Sequence, residues 1–299
     1  MRKVLLFVCL LMAGMTVNVN AAKQKAKHVI LIGMDGWGAY SVPKADIPAI
    51  KSLMTNGCYT LHSRSVLPSS SAINWASMFM GVGTELHGYT TWGSKTPEIP
   101  SREVNERGIA PTIFSVLREQ RPKAEIGCLY EWPGIKYLVD TLAMSYQYQT
   151  PGYAKAPTAL CEAAEKYIIE KKPELLAICF EEPDHTGHTK GHDTPAYYQM
   201  LKELDGYVER ILQAIKKAGI WDDTIIIMTA DHGGIKTGHG GKTLREMEIP
   251  FIISGKNVRK GMEIKESMMQ YDVASTIAYI FGLKQPQVWI GRPMKQVFK

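Results

Sequence analysis

The sequence predicts an α/β fold: a mostly parallel sheet with helices on both faces and a working edge at the carboxyl ends of its strands. Three observations carry this. Apolar runs of strand length recur at His28–Met34, Leu175–Phe180 and Thr224–Ala230, and strands buried on both faces read as such uninterrupted runs. Stretches with apolar residues at helical spacing lie between them, the alternation of βαβ units. Each run is followed closely by Asp or His: Asp35 after the first, Asp184 and His188 after the second, Asp231 and His232 after the third, with His239 seven residues further on among glycines. Ligands of open parallel sheets bind outside the carboxyl ends of the strands, so these six residues are expected at one edge.

Met1, Arg2 and Lys3 give a short basic start, Val4–Met15 is apolar, and Val19–Ala21 offers small residues where a signal peptidase reads. Residues 1–21 are therefore expected to be a cleaved leader, too short to span a membrane. Val8 rather than a small residue precedes Cys9, which argues against a lipoprotein anchor. One catalytic domain is expected over 22–299, in a periplasmic or secreted protein with no stable membrane anchor after cleavage. Its elements follow in order: a strand at 28–34, a helix at about 45–55, a strand at Tyr59–Val66 and a helix from about Ala72. Next come a helix at Thr112–Glu119, a strand at Glu125–Leu129, a helix at Thr158–Glu170 and the strand at 175–180. Pro195–Ala218 reads as a long amphipathic helix, with Pro in its first turn and Gly219 as its stop. Strands at 224–230 and 249–254 precede a helix at 271–281 that closes on Gly282. Between about 83 and 157 the pattern loosens, with Pro97, Pro100, Pro111, Pro133 and Pro151 among Trp92, Tyr130, Trp132 and Tyr146–Tyr153. This stretch reads as an excursion over the active edge, where loops set substrate choice.

With 45% hydrophobic and 21% charged residues, the chain can build a full core. The formal charge of +6 includes Arg2 and Lys3. The remainder is mildly basic, which suits a small anionic substrate. No Lys/Arg stripe interleaved with aromatics argues for a nucleic-acid polymer. Cys58, Cys128, Cys161 and Cys179 remain after the leader. Export permits disulfides, and the three pairings open to four cysteines stay open. Cys161 and Cys179 read as small core residues.

Three Asp and three His at one edge suffice for two metal ions with three protein ligands each, the open coordination of catalytic zinc. Leu67–Asn74 leads from a strand into a helix. A serine at that junction meets the positive end of a helix dipole and its free N–H groups. Ser69, Ser70 and Ser71 compete for the role of nucleophile, and helix capping is the structural alternative for each.

Here the residues resemble the alkaline phosphatase superfamily, and within it the type I phosphodiesterase/nucleotide pyrophosphatase branch. That branch carries a Pro, a nucleophilic Thr, an Asn, a Gly and a His-Gly pair at the spacing of Pro68, Ser71, Asn74, Gly81 and His87-Gly88. The alignment selects Ser71, with Ser in place of Thr, and gives Asn74 a place beside it in catalysis, one turn into the helix, where it is expected to orient the nucleophile loop; a plain helix hydrogen bond is the structural alternative. Asp35 in Met34–Gly36, Asp184 and His188 in Pro183–His188, Asp231 and His232 in Asp-His-Gly, and His239 are similar to the branch's metal-ligand segments. Trp132–Gly134 recurs in relatives as well. The resemblance spans roughly residues 28–282. It implies that Asp184, His188 and His239 hold one zinc, and that Asp35, Asp231 and His232 hold the other with the Ser71 oxygen as a further ligand. Two Zn2+ are expected, with Mn2+ as a substitute, because mixed His/Asp ligation suits zinc better than magnesium.

Other candidates carry smaller roles. His185 and His192 flank the ligand segment and are expected in the surrounding shell or loop. His87 matches a structural position. Trp75, Tyr89 and Trp92 could offer a stacking surface. Two departures matter. The branch places a second Asn shortly after the His-Gly turn, against a phosphoryl oxygen, whereas this chain reads Tyr89–Gly93 there. Sulfatases share the fold but need Cys/Ser-x-Pro-x-Arg, and Ser71–Trp75 lacks both the Pro and the Arg. The expectation is an exported two-zinc phosphoric ester hydrolase with a serine nucleophile, favouring diesters or pyrophosphates of small molecules. A broad phosphomonoesterase is the second enzymatic reading. A metal-bound phosphate-ligand binding protein without turnover is the reading from another class.

Overall fold

The structure, a computed structural model, describes residues 24–151 and 156–299. The expected leader at 1–21, and Tyr153 of the aromatic stretch, lie outside the described residues. The first half of the chain forms β1 (His28–Met34), α1 (Pro48–Thr55), β2 (Gly57–Arg64), α2 (Ser71–Met80), α3 (Thr84–His87), α4 (Ile113–Gln120), β3 (Ile126–Tyr130) and β4 (Tyr146–Gln149). The second half adds α5 (Ala156–Lys171), β5 (Leu175–Phe180), α6 (Asp184–Lys190), α7 (Pro195–Lys217), β6 (Thr224–Thr229), α8 (Leu244–Met247), β7 (Glu248–Gly255), β8 (Met262–Glu263) and α9 (Asp272–Phe281).

The eight strands form one sheet in the order β4-β3-β5-β1-β6-β7-β2-β8. β7 is antiparallel to both of its neighbours, β6 and β2, and the other pairs are parallel. The predicted fold class therefore holds, with one reversed strand. Successive side chains of β1 part to opposite faces. Val29 and Leu31 pack under α2, α4 and α9, while Ile30, Ile32 and Met34 pack under α1, α5 and α7. Two buried faces explain why the central strands carry no polar alternation.

The differences from the expected elements have local causes. β2 ends two residues early, because Val66 leaves the ladder and donates its N–H to the Asn74 side chain. β4 falls in the stretch read as an excursion; its Tyr-Gln-Tyr-Gln alternates, but four residues on a half-exposed edge are too short a run to mark a strand. α6 has the sequence DHTGHTK, with no apolar residue to mark a helical face. Within the stretch 83–157, α4, β3 and β4 belong to the main layers, while the connections around them carry Trp92 and Trp132 to the working edge.

All four described cysteines are buried free thiols. Among the described residues no helix is long and apolar enough to cross a membrane.

Candidate active site

Sheet order assembles the site. β5, β1 and β6 are neighbours and parallel, with Met34 beside Phe180 and Gly33 beside Thr229. The chain leaves all three strands at one edge, so the segments carrying Asp35, Asp184 and Asp231 meet there. Asp35, Asp231 and His232 offer ligand atoms within 4.8 Å of one another, and so do Asp184, His232 and His239. His232 thus stands between the two groups. Its Nε2 lies 3.4 Å from Asp35 Oδ1 and 3.3 Å from Asp231 Oδ2, and its ring stacks on His239 at 3.8 Å between centroids. His188 reaches the assembly from the far side, with Nε2 3.0 Å from Asp184 Oδ2.

The anchoring of these side chains is regular. His188 Nδ1 faces the Thr237 carbonyl at 2.9 Å, His232 Nδ1 the Gly233 carbonyl at 2.8 Å and His239 Nδ1 the Ser69 carbonyl at 3.1 Å. A ring nitrogen that donates outward leaves Nε2 with its lone pair facing the centre. Asp231 Oδ1 accepts from the N–H groups of Gly36 (3.1 Å) and His232 (2.8 Å). Asp35 Oδ2 accepts from the Trp75 indole at 3.1 Å. Trp75 reaches it only because residue 33 is glycine: a Cβ there would lie 2.3 Å from the indole Cη2. The remaining oxygens, Asp35 Oδ1, Asp231 Oδ2 and Asp184 Oδ1, are buried without hydrogen-bond partners.

Electrostatics follow from this crowding. Burial pushes the Asp35 carboxyl well above its ordinary range, and the charges of Asp231 and Asp184 add to the shift. Burial likewise raises Asp231, with Asp184 adding to it. Burial also acts upward on Asp184, but the His188 hydrogen bond and the charges of His232 and His239 outweigh it and hold Asp184 low. The Asp184 hydrogen bond lifts His188 to about 9, whereas burial drops His232 to about 3. Two buried carboxylates, Asp35 and Asp231, with inward oxygens that lack partners, joined by Asp184 Oδ2 and ringed by imidazole nitrogens, form a donor set that divalent zinc fits.

Ser71 is the first residue of α2, entered from an extended Ser70 (φ −145°, ψ 154°). Its Oγ lies 3.2 Å from His232 Nε2. Ser69 turns away to donate to the Gly241 carbonyl at 2.6 Å. Asn74 is wholly engaged with the loop before α2. Its Oδ1 accepts from Val66 N at 2.7 Å, and its Nδ2 donates to the carbonyls of Val66, Pro68 and Ser70 at 3.0–3.2 Å. Asn74 therefore shapes the loop that presents Ser71 and makes no hydrogen bond to the metal-type residues. One of the free N–H groups expected at this helix start is taken: Ala72 N donates to the Trp92 carbonyl at 3.3 Å.

A cleft of about 480 Å³ opens over the site, where Ser70, Ser71, Trp92, Trp132 and Glu181 join the metal-type side chains. Of the three aromatics expected to form a stacking surface, Trp75 and Tyr89 are buried beneath it, because the indole N–H serves Asp35 and the Tyr89 hydroxyl serves the Tyr137 carbonyl. Trp92 is 65% exposed. Trp132 comes from the excursion expected over the active edge, and Glu181 is a cleft residue that the sequence reading missed. Glu181 directly follows the apolar run of β5, the same position relative to a strand that marked Asp35. Lys95 and Lys136 both lie over the Tyr137 ring, at 5.8 and 4.9 Å from its centroid. Among the described residues no Lys or Arg lines the cleft. His87 is buried against Ser77 Oγ at 3.0 Å, the structural place expected for it.

Comparison with known proteins returns the same architecture. Mouse (Mus musculus) bis(5'-adenosyl)-triphosphatase is 24% identical over 226 residues, covering 72% of this chain and 48% of the relative. Venom phosphodiesterase 2 of Crotalus adamanteus is 25% identical over 227 residues, covering 69% of this chain and 26% of the relative. The chain thus spans about half, or less, of the length of the curated relatives it matches. Among solved structures, murine ectonucleotide pyrophosphatase/phosphodiesterase 5 in complex with AMP superposes with a TM-score of 0.73 at 17% identity, covering 93% of this chain and all of that one. A 2-O GAG sulfatase superposes at 0.71 with 14% identity, covering 91% of this chain and 74% of that one. The profile of the type I phosphodiesterase/nucleotide pyrophosphatase family matches residues 29–259, from β1 through the last of the metal-type segments. With that match over most of its length and its strands delivering the segments to one edge, the chain belongs to the type I phosphodiesterase/nucleotide pyrophosphatase family of the alkaline phosphatase superfamily.

Proposed function

We propose that the chain is an exported phosphoric ester hydrolase that binds two zinc ions and cleaves small phosphodiesters or pyrophosphates through Ser71. One observation carries the reading: the Ser71 hydroxyl lies against His232, the side chain shared by two groups of metal-type residues, in one of which inward oxygens of Asp35 and Asp231 lack partners. Asp35, Asp231 and His232 would hold one ion, and Asp184, His188 and His239 the other. Bound zinc would supply positive charge for the attacking and leaving oxygens of an in-line displacement.

The chain's own residues do the rest. Asn74 fixes the loop so that Ser71 starts α2 with Oγ toward the cleft. Ser71 Oγ attacks phosphorus. The Oγ–P bond forms, the P–O bond to the leaving group breaks, and the proton given up by the hydroxyl balances the one the leaving alcohol gains. Water then cleaves the phosphoseryl ester and restores Ser71. The walls favour an organic substituent, since Trp92 and Trp132 are apolar surfaces and Glu181 adds a carboxylate. A monoester brings a second negative charge at phosphorus, and no Lys or Arg of the described lining would meet it. The pyrophosphatase and phosphodiesterase names of the relatives support the same class.

The test is a matched pair of substrates. Bis(p-nitrophenyl) phosphate should be hydrolysed with higher kcat/KM than p-nitrophenyl phosphate. A tenfold preference for the monoester, about 1.4 kcal/mol in transition-state terms, would overturn the diester reading and make Lys95 and Lys136 the first cations to replace. No turnover of either ester, with zinc bound, would favour a binding protein instead.

A further inference from the structure

We propose that His192 positions Asp184: its Nε2–H donates to Asp184 Oδ1 and fixes the carboxylate that would hold one of the two zinc ions. The inference rests on the metal reading above and assigns a residue which that reading leaves without a role.

Two of the three metal-type carboxylates share one arrangement, in which one oxygen is held by a donor from the protein and the other faces the centre. Trp75 holds Asp35, and two backbone N–H groups hold Asp231. Asp184 breaks the pattern. Its Oδ2 faces His188 Nε2 at 3.0 Å and His239 Nε2 at 3.8 Å, the two nitrogens that would share its ion. Oδ1 has no partner. His192 Nε2 stands 3.7 Å from that oxygen. The His192 side chain is completely buried, and both of its ring nitrogens lack partners. Buried N–H groups are rarely left unpaired, and a neutral imidazole carries one. The pair needs only a small closing movement to satisfy both atoms.

The surroundings are built for this ring. It sits between Gly187 and Gly234, where a Cβ on either residue would come within 2.3 Å of its Cε1. Those glycines belong to the two segments that carry the metal-type residues on either side. A role as an additional ligand fits less well. Each imidazole proposed as a ligand has its Nδ1 facing a backbone carbonyl, which fixes the tautomer, and His192 Nδ1 faces none.

The experiment is zinc titration against a competing chelator for wild type, His192→Leu and His192→Gln, with turnover read at saturating zinc. Leucine removes the donor and keeps an apolar filler; glutamine can return an N–H. His192→Leu should still bind two ions at saturation, one of them about 10- to 100-fold more weakly, the range for losing a hydrogen bond behind a ligand. His192→Gln should stay close to wild type. Unchanged affinities in His192→Leu would overturn the proposal. So would loss of an ion at saturating zinc in both variants, which would make His192 a ligand, or a glutamine variant as weak as leucine. If circular dichroism shows His192→Leu unfolded, His192→Ala takes its place in the same comparison. Wild type that binds no zinc would break the metal reading itself, a distinct result.

Discussion

The two halves of the candidate site are built differently. Asp35, Asp231 and His232 sit at the ends of β1 and β6, among the central strands, and their side chains are almost completely buried. Asp184, His188 and His239 sit on a seven-residue helix and a glycine-rich loop, and the His188 side chain is 45% exposed. The inner half is held by backbone N–H groups and a buried indole. The outer half is held chiefly by carbonyls of loop residues 237 and 69. Charge differs in the same way. The inner carboxyls are pushed up by burial and by the charge of Asp184, with Asp231 adding to the shift of Asp35, whereas Asp184 is pulled down by His188. The inner half requires a cation or protons to exist, while the outer half can satisfy itself as a carboxylate–imidazole pair. Preorganisation and self-repulsion concentrate where the sheet is rigid, and adaptability lies where the chain has left it.

The largest expected effect falls on the point common to both halves. Ser71→Ala removes the atom that touches His232 and is expected to lower kcat by about 10⁴-fold or more, the scale seen when a nucleophile is deleted. Both ions should remain, because three ligands per ion survive. Ser69→Ala and Ser70→Ala should be mild. Equal metal content with a normal rate in Ser71→Ala would show that neither half activates this serine.

Metal removal probes the asymmetry itself. Graded chelation should strip the outer ion first, leaving protein with close to one zinc per chain before it falls to none. Trp75→Phe keeps the ring in place and deletes the N–H held by Asp35. It is expected to weaken the inner ion about 10- to 100-fold and the outer ion little. If one chelator concentration removed both ions together, or if Trp75→Phe weakened the outer ion more, the contrast between rigid and adaptable halves would be wrong.

Much of this arrangement is legible in the sequence, for a physical reason. Strands buried on both faces must be uninterrupted apolar runs, so the residues just after them stand out, and Asp35, Asp184 and Asp231 all do. The alternation of strands and helices fixes their direction, and direction brings them to one edge. What stayed hidden depends on packing between distant segments. Trp75 reads as one more aromatic on an apolar helix, and only the contact with Gly33 turns its N–H toward Asp35. His192 reads as a residue of the surrounding shell or loop, and only Gly187 and Gly234 on either side of it fix its place. α6 has no apolar residue and so no period to detect, and the Tyr-Gln alternation of β4 lasts only four residues. The role of Asn74 as an orienter of the nucleophile loop follows from sequence, but the partners through which it acts, Val66 N and the carbonyls of Val66, Pro68 and Ser70, do not.

The smallest expected effect tests whether burial, the largest cause of the raised inner acids, also raises a carboxyl elsewhere at this edge. Glu131, just past the end of β3, supplies the case. It is buried, its Oε2 accepts from Glu181 N at 2.6 Å, and its Oε1 has no partner. Burial chiefly pushes it from 4.5 to about 8, with the charges of Glu181 and Glu182 adding to the shift and that N–H partly offsetting it. The folded protein therefore binds a proton here that the unfolded chain releases above pH 4.5. The stability Glu131 contributes is full below about pH 4.5 and is lost as pH rises toward 8. Glutamine resembles the protonated acid, can accept from Glu181 N through its oxygen, and never ionises. Glu131→Gln should match wild type in Tm near pH 4.5 and exceed it by a margin that widens up to pH 8.5. The comparison is variant against wild type at each pH and fixed zinc, so any pH dependence of metal binding common to both cancels. A margin that stays constant with pH would mean that burial alone does not raise a carboxyl at this edge. Repulsion between Asp35, Asp231 and Asp184 would then have to account for the inner half.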